Sequence, residues 1–150
     1  TLPQGCMAVE CKGARHCERE NRSVSCRAFP FFPYFTRARA FVGLAYYWIF
    51  EDRCWVISNL AVVDRRFVDE FVAAYELLFA DDEDEKEGMI EYSGHIRRVF
   101  TRRNRIIPLI GRDGGYFAVE PRTHVIRPAS LAEFERHGPY REEDRAEAAE

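Results

Sequence analysis

Two kinds of apolar run divide this chain, one periodic and the others continuous. Between positions 64 and 79, Phe67, Val68, Phe71, Val72, Tyr75, Leu78 and Phe79 recur every three or four residues. Asp69, Glu70 and Glu76 fall largely on the other side. That is the stripe of an amphipathic helix, and Asp64 stands where an N-cap belongs. Ala40–Phe50 is dense in β-branched and aromatic residues and does not alternate, so it predicts a strand covered on both faces. Glu51-Asp52-Arg53 predicts a turn, and Cys54–Val63 an antiparallel partner strand with a bend at Asn59. Ile106–Ile110 is a third strand. Gly111-Arg112-Asp113-Gly114-Gly115 then supplies a hairpin turn, in which Gly114 or Gly115 takes a positive φ. Tyr116–Val119 returns, Glu120-Pro121-Arg122 turns again, and Thr123–Ile126 is a last short strand. Ser130 and Glu133 have capping-box spacing for a short helix with Leu131, Ala132 and Phe134 on its apolar side; Gly138 stops it. The fold class is α+β: a mostly antiparallel sheet packed by one main helix.

Other stretches are less regular. Residues 1–27 are polar and aperiodic, with one helical turn near Lys12–Arg19. We treat 1–35 as an irregular, cysteine-containing N-terminal segment. Phe29-Pro30-Phe31-Phe32-Pro33-Tyr34-Phe35 holds five aromatics and two prolines, which forbid a regular helix and demote any strand to a sheet edge. It reads either as a segment packed across the core or as an apolar patch for a partner, with Phe31, Phe32, Tyr34 and Phe35 as anchors. The first reading is preferred. Asp81–Gly88 is like-charged and predicts a solvated loop without the glycine and bidentate glutamate of a calcium-binding EF-hand. Met89–Tyr92 starts a strand, and His95–Phe100 is ambiguous. Arg97, Arg98, Arg102, Arg103 and Arg105 form the densest basic cluster, which reads either as a solvated face that compensates the acidic run before it, the preferred reading against RNA, or as a candidate partner or phosphate surface. Arg141–Glu150 predicts a frayed helix, so 139–150 is a charged tail or linker.

Composition narrows the classes. The 150 residues make one domain, 1–150. A net charge of −3 does not call for nucleic acid or a membrane surface. The longest apolar run, 40–50, has eleven residues against the roughly 20 of a membrane span, which predicts no membrane partner. Five cysteines are an odd number for a disulfide framework. Cys6, Cys11, Cys17 and Cys26, with His16, have gaps of four, five and eight residues and lack the close pairs of structural zinc. We expect free thiols, no metal and no cofactor, with Cys54 a small buried hydrophobe. His16, His95, His124 and His137 are scattered and match no nucleophile or zinc-protease motif. Asp113-Gly114-Gly115 lacks the lysine and helix of a phosphate loop, and Glu142-Glu143 lies in the tail. His137 is explained as a cation at a helix C-terminus. No enzyme is expected.

Two stretches carry a resemblance. Phe50-Glu51-Asp52-Arg53-Cys54-Trp55-Val56-Ile57, followed by Leu60 and Phe67-Val68, is similar to the first motif of the herpesvirus unique-short 22 family. Leu109-Ile110-Gly111, the Gly114-Gly115 turn, the short strand ending Val125-Ile126 and the closing Phe134…Arg136-His137-Gly138 resemble its second motif. Together they span about residues 50–138. The resemblance implies a SUKH-like fold, with Cys54, Trp55, Gly111, Gly114, Gly115, Phe134, His137 and Gly138 as its structural signature. It implies a non-enzymatic betaherpesvirus tegument or immune-evasion module that binds a host antiviral or cell-death factor in cytoplasm or nucleus, and that forms homo- or hetero-oligomers. Alternatives it implies are double-stranded RNA binding with antagonism of the kinase PKR, and a bacterial toxin-immunity protein of the same superfamily.

Overall fold

The computed structural model describes residues 10–138. Cys6 and the tail expected from 139 lie outside them. Five strands run β1 Phe31–Phe35, β2 Phe41–Tyr46, β3 Ile107–Gly111, β4 Tyr116–Val119 and β5 Ile126–Pro128. They form one antiparallel sheet in the order β1-β2-β3-β4-β5. A short helix, α1 (Val24–Ala28), precedes the sheet. Two long ones, α2 (Arg65–Asp81) and α3 (Glu83–Arg102), are inserted between β2 and β3. The α+β class holds. The single main helix becomes two, one on each face of the sheet.

Register explains why the strands are apolar throughout. Phe31 pairs with Tyr46, Pro33 with Leu44, and Leu44 with Ile110. Successive side chains alternate between faces, so Phe31, Leu44, Tyr46 and Ile110 meet Val68, Phe71, Val72 and Tyr75 of α2. Phe32, Tyr34, Ala45, Ile107, Leu109 and Val119 point the other way, onto Ile96 and Phe100 of α3. β1 lies at the sheet edge, where Pro33 is tolerated. It is core all the same: Phe31, Phe32, Tyr34 and Phe35 are at most 2% exposed. Burying each contributes on the order of 1.5–3 kcal/mol, so these four are structural residues and not surface anchors for a partner.

The expected acidic loop and the strand from Met89 are instead the first half of α3. Asp82 caps it, accepting from the Glu85 N–H at 2.9 Å. Glu83, Asp84 and Glu85 fill its first turn, where carboxylates offset the partial positive charge of the unpaired N–H groups. Met89, Tyr92, Ile96 and Phe100 then recur at helical spacing on the buried side. The charge run is therefore a helix start.

Cys54–Val63 is not a strand. It forms two 3₁₀ turns, Trp55–Ser58 and Leu60–Val62, which bury Ile57 and Leu60 against the α2 side of the core. The Asn59 side-chain amide donates to the Trp55 carbonyl at 2.9 Å and fixes the bend. β2 already has β1 and β3 as neighbours, so no edge remains for this segment to pair with. The strand expected over Ala40–Phe50 stops at Tyr46 and gives way to a 3₁₀ turn at Trp48–Phe50. That expected over Thr123–Ile126 shifts to Ile126–Pro128, because His124 takes φ 59° inside the turn. The Ser130 helix is a single turn, Leu131–Glu133. Its capping box is present, the Glu133 carboxylate accepting from the Ser130 N–H at 2.8 Å. The hairpin turn is as expected, with Gly114 at φ 89°. Among the described residues no helix is long and apolar enough to cross a membrane.

Candidate functional site

The two motif stretches meet in space around Glu51. The turn after β2 carries Glu51 beneath the end of that strand, where the Tyr46 hydroxyl donates to its carboxylate at 2.9 Å. Arg105, at the junction of α3 and β3, donates both terminal nitrogens to the same carboxylate at 2.7 and 3.2 Å. His137 closes the group with Nε2 3.4 Å from Glu51. The Ser58 hydroxyl also accepts from the His137 N–H at 2.8 Å. Arg105 Nε lies 2.8 Å from the Glu135 carboxylate, but it is aligned too poorly for a hydrogen bond, so that contact is charge attraction alone. The Arg105 guanidinium also sits over the Phe100 ring, 5.0 Å from its centroid.

Charge in this cluster is well matched. Glu51, His137 and Arg105 side chains are 13%, 12% and 20% exposed. Burial works against the charge on Arg105, but the hydrogen bonds and charge of Glu51 outweigh it and hold the guanidinium pKa above its ordinary value. Burial pushes the Tyr46 phenol up, and the adjacent Glu51 carboxylate pushes it further. The Glu51 and Glu135 carboxylates both face Arg105, and Glu51 also accepts from Tyr46. The chemistry this permits is fastening: the chain between β2 and α2 is tied to the C-terminal stretch 134–138. His137 therefore lies beside the Glu51–Arg105 ion pair and not at a helix C-terminus.

The fastened segment carries exposed apolar side chains on its outside. Ile49 and Trp55 are 55% and 54% exposed, and Val62 is 52%. The turn between Ile49 and Trp55 closes through the Cys54 N–H onto the Phe50 carbonyl at 2.8 Å. Phe29, 44% exposed, packs edge-on against Phe50 with centroids 5.0 Å apart. Sequence reasoning placed apolar anchors in the Phe29–Phe35 run and missed Ile49. The signal available was the position of Ile49 and Trp55 either side of a polar turn.

The five clustered arginines do not converge. Arg97 is buried against β1, donating to the Phe35 carbonyl at 2.5 Å and the Tyr34 hydroxyl at 3.2 Å. Next to it the Ser93 hydroxyl accepts from the Phe35 N–H at 3.0 Å, where the β1–β2 ladder is irregular. Arg103 stacks over Trp48, 4.3 Å from the ring centroid, and Arg105 is tied to Glu51. Among the described residues, Arg98, Arg102 and Arg103 are exposed and pair with no carboxylate, and Arg103 is held against Trp48, so the predicted five-arginine surface is three arginines wide. Close by, the Thr101 hydroxyl bridges the Pro121 carbonyl and His124 Nε2. Burial, then the charges of Arg37 and Arg97, depress the His124 pKa.

The remaining signature residues are structural. Cys54 and Phe134 pack on the α2 side of the core. A side chain at Gly111 would strike the Phe117 ring at 2.7 Å. Gly114 and Gly115 form the turn, and Gly138 has φ 119°. Cys11, Cys17, Cys26 and Cys54 are free. Cys11, Cys17, Cys26 and His16 line one open recess of about 460 Å³, in which Arg22 Nε contacts Cys17 Sγ at 3.0 Å. Among the described residues no three histidine, cysteine or acidic side chains are placed to share a metal ion. In comparisons with known proteins the chain matches no family model, no curated protein and no solved structure.

Proposed function

We propose that this chain is a non-enzymatic protein-interaction module, of the kind its resemblance to the unique-short 22 family implies: a viral tegument or immune-evasion domain that binds a host antiviral or cell-death factor. The observation that carries this reading is the outward pair Ile49 and Trp55 on a segment fastened from beneath by Glu51, Arg105 and His137. Binding energy concentrates in a few large side chains, tryptophan foremost. A rigid support reduces the ordering cost of presenting them. Loops held by a scaffold are where recognition usually sits. The test is affinity capture from transfected human cells with wild type and Ile49→Ala/Trp55→Ala side by side. A host protein held by wild type, lost by the variant and then bound directly when purified supports the reading. An identical set of captured proteins removes its basis.

A second reading, double-stranded RNA binding, has one observation in its favour. Among the described residues, Arg37, Arg98, Arg102, Arg103 and Arg122 are exposed and have no carboxylate partner. The acidic start of α3 lies about 30 Å from its basic end and does not oppose phosphates there. Against it, Arg97 and Arg105 are occupied internally and Arg103 is stacked on Trp48. Tight duplex RNA binding at physiological salt, abolished by Arg102→Glu/Arg103→Glu, would favour this second reading over the first.

A further inference from the structure

We propose that the outer face of α3 pairs antiparallel with α3 of a second copy of this chain. After Glu83 at its start, the exposed positions of the helix are spaced four, three, four, three and four residues apart: Asp84, Gly88, Glu91, His95, Arg98 and Arg102. That is the seam spacing of two packed helices. It is filled here by polar residues whose charge is sorted, acidic in the first half and basic in the second.

The sorting is self-complementary. Rotating a second copy by half a turn about the level of Ser93 sets Asp84 against Arg102, Gly88 against Arg98, and Glu91 against His95 of the other copy. An interface between identical chains must match itself in this way. Within one chain the arrangement has little to recommend it. Among the described residues Asp84, Glu91, Arg98 and Arg102 form no ion pair, whereas Lys86 pairs with Glu83 and Arg39 with Glu87 on the flanks of the same helix. Arg98 and Arg102 are like charges one turn apart, which weakens an isolated helix. The helix dipole accounts for charges in the first and last turns only, and Glu91 and Arg98 stand in the middle.

Gly88 is a second, separate observation. It lies in the helix interior, exposed, where glycine is the least favourable residue apart from proline. A side chain there would meet nothing within 4 Å, so no contact among the described residues requires its absence. In the antiparallel pair the gap faces the long side chain of the second copy's Arg98 and gives it room. Such a polar seam makes a weak, salt-sensitive dimer. It uses a surface separate from Ile49 and Trp55, and each proposal can fail without the other.

The test is sedimentation of the full chain at low and high salt, with two variants that circular dichroism shows to be folded. Wild type should form a reversible dimer that dissociates as salt rises. Arg98→Glu/Arg102→Glu makes the seam wholly acidic and should weaken self-association at least about tenfold. Asp84→Arg/Glu91→Arg makes it wholly basic and should do the same. Mixed in equal amounts, the two variants should restore a one-to-one dimer. Wild type that stays monomeric at low salt and high protein concentration overturns the proposal. So does a dimer that either variant leaves intact, or a failure of the mixed variants to associate.

Discussion

Replacing Glu51 by alanine removes, in one step, the carboxylate that holds Arg105, Tyr46 and His137 together. Deleting one partner of a fully buried ion pair costs about 3–5 kcal/mol, because the other charge is left stranded. Here the pair is not fully buried, at 13% and 20% exposure, and Glu135 remains 2.8 Å from Arg105 Nε. Solvent and this second carboxylate offset part of the loss, so we expect about 2 kcal/mol. For a domain of this size that lowers Tm by roughly 4–8 °C. Glu51→Gln keeps an acceptor for the Tyr46 hydroxyl and removes only the charge, so it should cost less. Urea denaturation provides the measurement, followed by far-ultraviolet circular dichroism and by tryptophan fluorescence, which reports on Trp48 and Trp55. Loosening the Glu51 turn should increase solvent quenching of Trp55 before the sheet unfolds. A double-mutant cycle with Arg105→Ala isolates the pair, and we expect a coupling of about 1–2 kcal/mol. A coupling under about 0.5 kcal/mol would mean that the cluster does not fasten the two stretches.

Other changes have equally definite outcomes. Gly114→Val forces a β-branched residue into φ 89° with its Cβ 3.2 Å from Arg65. It should cost more than about 1 kcal/mol in chemical denaturation, whereas an unchanged midpoint would show the turn to be unstrained. Ser93→Ala strips the buried Phe35 N–H of its acceptor and should cost about 1–3 kcal/mol, with faster amide exchange at Phe35. At alkaline pH, burial raises the phenols of Tyr46, Tyr75 and Tyr92, the last to about 12. A folded pKa above the unfolded value of about 10 means that stability is full below pH ~10 and is lost as pH rises beyond it. Tyrosinate absorbance should therefore appear together with loss of circular dichroism, and ionisation that precedes unfolding would contradict the burial. His124 is depressed by burial and by Arg37 and Arg97, so its contribution is present above pH ~6.5 and is lost as pH falls below it. His124→Asn, which tolerates the positive φ, should flatten that acid limb of the stability curve.

Local chemistry was legible where one short stretch decides its own shape. The α2 stripe, the Asp64 cap and the Gly114 turn each depend on residues within a few positions of one another. Tyr116–Val119 is a strand residue for residue. What escaped was decided at a distance. Cys54–Val63 has strand composition, but both edges of β2 are occupied by β1 and β3, a fact no local pattern records. The acidic stretch before Met89 looks like a loop by charge alone; only the cap at Asp82 and the apolar positions from Met89 onward, taken as one unit, reveal a helix. The candidate site shows the same division. Glu51 and His137 each lie inside a motif, but by sequence alone Arg105 is one of five equivalent arginines. Its pairing with Glu51 depends on where β3 begins.

The alternation of β1 between two layers has a consequence for how this chain tolerates change. Phe31 and Phe35 belong to the α2 side of the sheet, Phe32 and Tyr34 to the α3 side. Inserting or deleting one residue within the strand would exchange the contents of both cores at once, since each side chain beyond that point turns to the opposite face. In a sheet with one wet face such a slip exposes one row of side chains; here it misplaces two. Length variation among relatives of this chain should therefore gather in turns such as Gly111–Gly115 and Pro121–Thr123 and spare the strands.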